Sequence, residues 1–351
     1  MKRNTTRYKK QQRGGKCRYS VRYGGRNTRR KNSQSRPSKK TKPTSSAKIR
    51  KEACIPYSHN RKINQNSCFT KGVLIDLKNR YNRLHTKEKS KLIHSNDPVE
   101  IYRLLREKIP YCSKESCIIQ TIAKPETKNQ LMALLFAPPQ PKEWKEDPEK
   151  WLSNFDILNV LQQYEKSFPH FEFLGPSSVD YDTLVKEDNM KCVSKELCKF
   201  SLQEHYDSGK RKIGVIFNLD PHHKQGSHWV SLFIDLEDNF MFYFDSTSDG
   251  PPNDIRRFME TVQAQGKQMN PPFIFTSSGP TQNIFVNRRM EHQLGNNECG
   301  MYSLFFVITM LIREKDGKSL SKEDVIDLFL GKDGRIPDED MNGLRDDYFR
   351  E

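Results

Sequence analysis

Cys299 stands where its side chain could act as a nucleophile. It stands directly before a predicted helix over residues 300–313, which contains the apolar segment 301–312. A cysteine at the N-terminus of a helix faces unpaired N–H groups and the positive end of the helix dipole, and both favour the thiolate. Gly300 permits the close approach of a substrate backbone. We therefore treat Cys299 as the candidate nucleophile of this chain.

His228 and Asp245 flank a predicted β-hairpin. Three segments rich in Val, Ile and Phe predict strands over residues 212–219, 228–236 and 240–244, with a turn at 237–239. In an antiparallel hairpin the start of one strand lies beside the end of the next, so both side chains are expected at one edge of the sheet. A carboxylate that accepts a proton from one imidazole nitrogen fixes the tautomer and makes the other nitrogen more basic. His228 is thus the candidate general base, and Asp245 orients it.

Gln293 is a candidate oxyanion-hole donor. It lies six residues before Cys299 in a predicted loop. Its side-chain amide and the backbone N–H of Cys299 would stabilise the oxyanion that forms when the thiolate attacks a carbonyl carbon. Removing one such donor typically raises the barrier by about 3–4 kcal/mol.

These residues resemble one protease family. His228-Trp229, the segment 243–246, Gln293 and then Cys299-Gly300-Met301 are similar in order and spacing to the adenain-like cysteine proteases. This group includes the adenovirus protease, the SUMO-specific proteases and the capsid-maturation proteases of large DNA viruses, which the chain resembles most. The resemblance covers roughly residues 97–330. It implies a cysteine protease with the triad His228, Asp245 and Cys299.

The resemblance also implies a specificity. An enzyme of this group cleaves after Gly-Gly or a similarly small dipeptide, without a metal or organic cofactor. Trp229 would form one wall of a narrow tunnel through which only a glycine backbone passes. Trp151 precedes a predicted helix and is similar to the segment that leads into this channel in SUMO proteases. The substrates would be capsid or core polyproteins that are processed during virion maturation.

Two alternative functions remain open from the sequence. The first is a deconjugase that removes SUMO or another ubiquitin-like modifier, with the same chemistry on a different substrate. The second is a non-catalytic nucleic-acid-binding protein in which the spacing of His228, Asp245 and Cys299 is a coincidence.

An N-terminal tail carries the excess positive charge. The 351-residue chain has a formal net charge of +16. Residues 1–50 hold 19 Lys or Arg and no acid, whereas the other 301 residues hold 41 basic and 44 acidic side chains. This composition predicts a basic disordered tail over residues 1–70. Residues 1–50 would contact DNA or nucleoprotein, or serve only as a solubilising or targeting tail. Gly14-Gly15 and Gly24-Gly25 are candidate sites of self-cleavage.

The expected locations follow from this interpretation. A maturation protease would act in the virion and in the host-cell cytoplasm, at the viral factory. The basic runs of the tail also suit nuclear import. The apolar segment 301–312 is too short to span a bilayer and the N-terminus has no apolar signal region, so no membrane insertion is expected.

The remaining patterns predict an α+β fold with a mixed central sheet flanked by helices. A helical accessory region is expected over residues 71–143, and the catalytic domain over 144–351. Capping signals predict helices after Asp97, over 154–166 and after Ser321. Three further elements are predicted: a helix over 254–262 and short strands over 272–276 and 284–286.

The other cysteines and a histidine pair predict no metal site. Eight unevenly spaced cysteines do not form a disulfide framework, so free thiols in a reducing compartment are expected. This expectation covers Cys112, Cys117, Cys192 and Cys198. His222-His223 has no cysteine or carboxylate cluster nearby that would complete a ligand set, so both are interpreted as loop histidines.

Overall fold

The computed structural model describes residues 52–56, 67–185, 188 and 190–351. The predicted tail, residues 1–70, lies almost wholly outside these residues. Both Gly-Gly pairs and the segment 1–50 that is predicted to contact nucleic acid also lie outside them. The described helices are α1 (Lys71–Leu84), α2 (Pro98–Lys108), α3 (Glu115–Ile122), α4 (Pro125–Leu135), α5 (Asn154–Ser167), α6 (Lys195–Cys198), α7 (Leu202–Asp207), α8 (Asn253–Gln268), α9 (Cys299–Ile312), α10 (Lys322–Leu330) and α11 (Asp338–Tyr348). The described strands are β1 (Phe171–Ser178), β2 (Leu184–Val185), β3 (Lys191–Cys192), β4 (Lys212–Asn218), β5 (Trp229–Asp235), β6 (Phe240–Phe244), β7 (Ile284–Val286), β8 (Glu314–Lys315) and β9 (Lys318–Ser319).

A five-stranded mixed sheet lies at the centre, in the order β1-β4-β5-β6-β7. The outer strands β1 and β7 run parallel to their neighbours, and the pairs β4-β5 and β5-β6 are antiparallel. In the β5-β6 hairpin Ser231 pairs with Phe244 and Asp235 with Phe240. The turn is closed by Asn239 in the left-handed region at φ 51°, which asparagine tolerates better than most residues. The predicted fold class and this hairpin are confirmed.

The sheet is buried on both faces, which explains the continuous apolar runs of its central strands. Every residue of β5 and β6 is buried. Alternate side chains such as Phe233 and Phe242 pack with α9, and Leu232 and Tyr243 pack with α8 on the opposite face. Strands that are covered on both sides have no polar face, so the period-2 alternation of an exposed strand is missing.

Helix α9 crosses the face of the sheet that carries Phe233 and Phe242. All of its residues from Cys299 to Leu311 are buried. At Gly214 on β4, an added Cβ would lie 2.8 Å from Cγ1 of Val307, so the strand and the helix approach too closely for a side chain there. The helix therefore brings its N-terminus to the edge of the sheet where β5 begins and β6 ends. No helix in the described part of the chain has both the length and the apolar character needed to cross a membrane.

The helices α1 to α4 form a separate apolar cluster. The predicted cap of α2 is confirmed, because Asp97 Oδ2 accepts the N–H of Glu100 at 2.9 Å and Pro98 is the first helical residue. The chain end contacts this region: the N–H of Arg350 donates to the carbonyl of Pro138 at 2.8 Å. The boundaries of the accessory region stay a prediction.

Several sequence predictions need correction. Strand β1 was not predicted, since Gly175 and Pro176 interrupt its apolar pattern and its pairing shifts between Leu174 and Ser177. Residues 272–276 form no strand, because they bond locally: the N–H of Phe273 donates to the carbonyl of Gly266. Helix α8 is longer than predicted and ends at Gln268 instead of Val262.

The expectation of free thiols is wrong for six cysteines. They form three disulfides, Cys54–Cys68, Cys112–Cys117 and Cys192–Cys198. The two Cα atoms of each pair are 5.2–6.3 Å apart, within the usual range for a disulfide. The spacing of the cysteines in the sequence did not indicate these pairings. Cys299 is the only free cysteine among the described residues.

Candidate active site

Cys299 is the first residue of α9 and is 2% exposed. Gly300 follows it and packs against Leu152: an added Cβ would lie 3.1 Å from the Leu152 Cβ. The absence of a side chain at residue 300 therefore lets the segment before α5 close over the start of α9. The thiol stands at a helix N-terminus, where the dipole favours its anion.

His228 and Asp245 meet at the sheet edge. His228 immediately precedes β5, and Asp245 immediately follows β6. His228 Nε2 donates to Asp245 Oδ1 at 2.7 Å. The carboxylate is 1% exposed, and the imidazole lies close enough to Cys299 to interact with its sulfur. The three residues singled out in the sequence are thus in contact.

The position of Asp245 is determined by several further contacts. The backbone N–H and the hydroxyl of Thr247 both donate to Asp245 Oδ1, at 2.9 and 2.8 Å. The Asn287 side chain accepts the N–H of Asp245 at 2.9 Å and donates to its carbonyl at 2.6 Å. Neither Thr247 nor Asn287 was among the residues singled out in the sequence. The one sequence signal for Asn287 is that it is a polar residue directly after the predicted strand 284–286.

The environment of His228 favours its charged form. Burial disfavours the imidazolium, but the hydrogen bonds to Asp245 and Cys299, together with the negative charge of both partners, outweigh this effect. They raise the pKa of His228 from 6.5 to about 10. An imidazole that holds a proton this strongly is suited to accept one from a thiol.

Gln293 is 3% exposed, and its amide has a fixed orientation. The Ser246 hydroxyl donates to Gln293 Oε1 at 2.7 Å, and Gln293 Nε2 donates to the carbonyl of Gly295 at 2.8 Å. An amide nitrogen carries two hydrogens, so a second N–H remains for another acceptor. Ser246 belongs to the motif 243–246, in which no role was assigned to it. The structure shows that its hydroxyl orients the amide of Gln293.

Glu298, the residue before Cys299, forms a buried ion pair. Its two carboxylate oxygens accept from Arg345 at 2.8 and 2.9 Å, and both side chains are less than a tenth exposed. Burial raises the pKa of Glu298, while Arg345 opposes this shift. Arg345 also stacks on the ring of Trp144 at 4.3 Å. The sequence carried no signal for this pair, since 47 residues separate its partners.

Trp151 and Trp229 line a cleft beside this site, with a cavity volume of about 660 Å³. The Trp229 indole N–H donates to the carbonyl of Leu152 at 3.1 Å. The Trp151 indole N–H donates to Asn297 Oδ1 at 3.1 Å, and 41% of Trp151 stays exposed. Both tryptophans are therefore held at the cleft, one buried and one partly open to solvent.

His222 has a carboxylate partner that sequence analysis did not find. Asp180 lies just after β1, and its Oδ2 is 2.6 Å from His222 Nδ1. Ligand-type atoms of Asp180, His222 and His223 all lie within 4.8 Å of one another. The expectation that no carboxylate stands near the histidine pair is wrong, because the parallel pairing of β1 and β4 brings the loops after both strands together.

Comparison with known proteins adds independent information. Residues 209–349 match the Ulp1 protease family, C-terminal catalytic domain. A protein of Acanthamoeba polyphaga mimivirus named as a thiol protease is 25% identical over 311 residues, which are 85% of this chain and 93% of that protein. A protein of African swine fever virus named as a SUMO-1 cysteine protease is 26% identical over 254 residues, 68% of this chain and 83% of the other.

A solved structure has the same fold. The crystal structure of the African swine fever virus protease superposes with a TM-score of 0.54 at 21% sequence identity. The match covers 86% of this chain and 97% of that one.

Proposed function

We propose that this chain, in which residues 209–349 match the Ulp1 protease family, is a cysteine endopeptidase that cleaves after Gly-Gly-type sites. In this proposal Cys299 is the nucleophile, His228 is the general base and Asp245 orients the imidazole. Gln293 and the backbone N–H of Cys299 hold the oxyanion. The match to a protease family argues against the alternative of a non-catalytic nucleic-acid-binding protein.

One observation carries the proposal: His228 bonds to Asp245 through Nε2 at 2.7 Å and interacts electrostatically with Cys299, which stands at the start of a buried helix. Asp245 accepts the Nε2 proton, so the other ring nitrogen is the one that takes the proton of the thiol. The thiolate then attacks the scissile carbonyl carbon, and the carbonyl oxygen becomes the oxyanion.

The same groups complete the reaction. The imidazolium of His228 returns its proton to the leaving amine as the C–N bond breaks, which leaves an acyl group on Cys299. Water then attacks the thioester and gives its proton to His228. The carboxyl product leaves, and the thiol regains its proton. Protons and bonds balance without a metal or organic cofactor.

The cleft supports a preference for small residues before the cleaved bond. Trp229 is held against the backbone of Leu152, and Leu152 in turn packs on Gly300. Aromatic and aliphatic side chains this close to the nucleophile leave little room for a substrate side chain. A glycine residue has no side chain and therefore needs no such room. Trp229 and Trp151 are therefore the proposed substrate-binding residues.

The relatives suggest a setting. Since the mimivirus and African swine fever virus proteins are named as proteases, we infer that this enzyme processes viral structural polyproteins during virion maturation. It would act in the virion and the cytoplasmic viral factory, with the nucleus as a second location. Residues 1–50 would contact DNA or nucleoprotein through their 19 basic side chains.

The second candidate function is removal of SUMO or a related modifier. The name of the African swine fever virus relative, a SUMO-1 cysteine protease, favours it. The chemistry is unchanged, because an isopeptide carbonyl after Gly-Gly presents the same groups to Cys299. The two functions differ in whether a folded modifier contributes to binding.

A kinetic comparison tests both functions. The rate of the full chain is measured on a Gly-Gly-X peptide and on an intact SUMO fusion with the same cleavage sequence, with Cys299→Ala as the control. We expect kcat/KM values within about tenfold of each other for the peptide and the fusion. A preference of more than a thousandfold for the fusion would identify a deconjugase, and turnover by Cys299→Ala would remove the catalytic assignment.

A further inference from the structure

The segment from Gln293 to Glu298, here called the oxyanion loop, contains no helix or strand. Its backbone groups therefore need partners from other elements or from water. The N–H groups of Leu294 and Gly295 both donate to Asp338 Oδ2, at 3.1 Å each. Leu294 is 66% exposed, so packing of its side chain does not hold the loop. Asp338, the first residue of α11, provides this anchor.

Gly295 connects Asp338 to the side chain of Gln293. The Gly295 N–H donates to Asp338, and the Gly295 carbonyl accepts from Gln293 Nε2 at 2.8 Å. The other end of the amide, Oε1, accepts from Ser246. The orientation of the Gln293 amide thus depends on Ser246 at the sheet edge and on a peptide unit that Asp338 holds.

Asp338 itself has a fixed position. Its second oxygen, Oδ1, accepts from the hydroxyl of Tyr302 at 2.9 Å. Tyr302 is fully buried on α9, three residues after Cys299, and its hydroxyl also lies 2.8 Å from the carbonyl of Ile336. The carboxylate of Asp338 therefore joins the first turn of α9 to the oxyanion loop, the two parts of the site that carry the nucleophile and the candidate oxyanion donor.

We propose that Asp338 is a positioning residue that sets the Gln293 amide for the oxyanion, an inference that rests on the proposed function. Asp338 acts through the backbone of Leu294 and Gly295. Without it the loop loses two hydrogen bonds, and the amide moves away from the place where negative charge develops. The contact between His228 and Cys299 does not depend on this loop, so the nucleophile keeps its activation.

The test replaces Asp338 by alanine in the full chain and measures turnover of a Gly-Gly coumarylamide peptide. We expect kcat to fall by about 10- to 100-fold, since a misplaced donor costs at most what a deleted donor costs. KM should stay within about threefold. The rate of Cys299 alkylation by iodoacetamide should stay within about twofold, because alkylation needs the thiolate but no oxyanion hole.

Two matched variants distinguish positioning from general destabilisation. Asp338→Asn keeps a carbonyl oxygen that can accept both N–H groups, so it should restore most of kcat. Asp340→Ala removes an exposed acid from the same helical turn and should retain the kcat of the wild type. If Asp338→Ala does not fold, Asp338→Glu, which displaces the carboxylate by one methylene, should show the same selective loss of kcat.

A double-variant cycle gives the decisive readout. Because Asp338 acts through Gln293, its replacement should lower kcat by no more than about threefold in a Gln293→Ala background. Additive losses, an unchanged kcat in Asp338→Ala, or a parallel loss of kcat and alkylation rate would each overturn the inference. Absence of turnover in the wild type, or its persistence in Cys299→Ala, would instead overturn the proposed function on which the inference rests.

Discussion

The two sides of Cys299 are built differently. On one side, His228 and Asp245 extend directly from β5 and β6, whose backbone ladder and burial on both faces define where they lie. On the other side, the oxyanion loop has no ladder. The Gln293 N–H donates to the carbonyl of Ser246, and beyond this bond the loop depends on polar side chains, chiefly Asp338 and Arg345 of α11. One half of the site is held by regular backbone structure, and the other mainly by a few polar side chains that are distant in sequence.

This difference predicts different consequences of mutation. A residue on the sheet side can be changed without loss of backbone geometry, so its variants should affect the reaction and change stability only through the charge of His228. On the loop side, buried side chains also fix the position of the loop. Removal of one member of a buried ion pair leaves the charge of the other uncompensated. Variants of such a residue should affect stability as well.

The largest effect is expected for Asp245→Asn. The asparagine amide can donate to the imidazole and so favours the wrong tautomer, and kcat should fall by about 10³- to 10⁴-fold. Turnover of a Gly-Gly peptide near neutral pH measures it, and thermal unfolding checks the fold. Asp249→Asn, an exposed acid four residues further on, is the control and should retain activity. Less than a tenfold loss in Asp245→Asn would remove Asp245 from the catalytic assignment.

Arg345→Met comes next and tests the loop side. It leaves Glu298 buried without its cation, which typically costs about 3–5 kcal/mol of the free energy of unfolding. Methionine keeps apolar contact with Trp144. Urea denaturation of the single variant and of Arg345→Met/Glu298→Gln measures the effect. The double variant should recover much of the loss, and a double variant as unstable as the single one would contradict the charge explanation.

The raised pKa of His228 predicts a pH-dependent stability. The pKa of 6.5 in the unfolded chain rises to about 10 in the folded protein, so this stabilisation is fully present below pH 6.5 and is lost as the pH rises towards 10. The difference in unfolding free energy between the wild type and His228→Gln should shrink by up to about 1.4 kcal/mol per pH unit in this window. A difference that stays constant between pH 7 and 9.5 would argue against a charged His228. Cys299→Ala, which removes one partner of the imidazolium, should show a weaker dependence.

The smallest effect is expected for Thr247→Val. The hydroxyl of Thr247 is one of three donors to Asp245 Oδ1, and valine removes it without a change of shape. Because the backbone N–H of Thr247 and the β-hairpin still hold the carboxylate, kcat should fall by less than about tenfold. Thr247→Ser keeps the hydroxyl and should match the wild type. A loss above a hundredfold would mean that side-chain contacts control the sheet side too.

Local patterns predicted much of this fold. The β5-β6 hairpin was visible in two apolar runs around a polar turn, and α9, which begins at Cys299, in the apolar segment 301–312. Capping boxes at Ser153 and Ser321 predicted the starts of α5 and α10, and both are present. These signals are local because neighbouring residues form the hydrogen bonds that they report.

Apart from the approach of His228 and Asp245 to Cys299, contacts between distant segments were not predicted. Strand β1, the approach of Asp180 to His222 and the anchors at Asp338 and Arg345 all join residues without a shared local pattern. The three disulfides were not predicted either. Positions at strand ends, at a helix start and in the loop before it supplied the candidate catalytic residues, and the family resemblance added Trp151 and Trp229. Their roles stay predictions until they are tested by substitution.

The sequence by itself determined which side chains are available for chemistry and which strand ends and helix start carry them, because capping and apolar patterning act over a few residues. Only the tertiary structure decided how the oxyanion loop is held, which cysteines pair and which carboxylate meets the histidine pair. Those outcomes depend on how separate elements pack against one another, and such packing involves residues that no local rule connects.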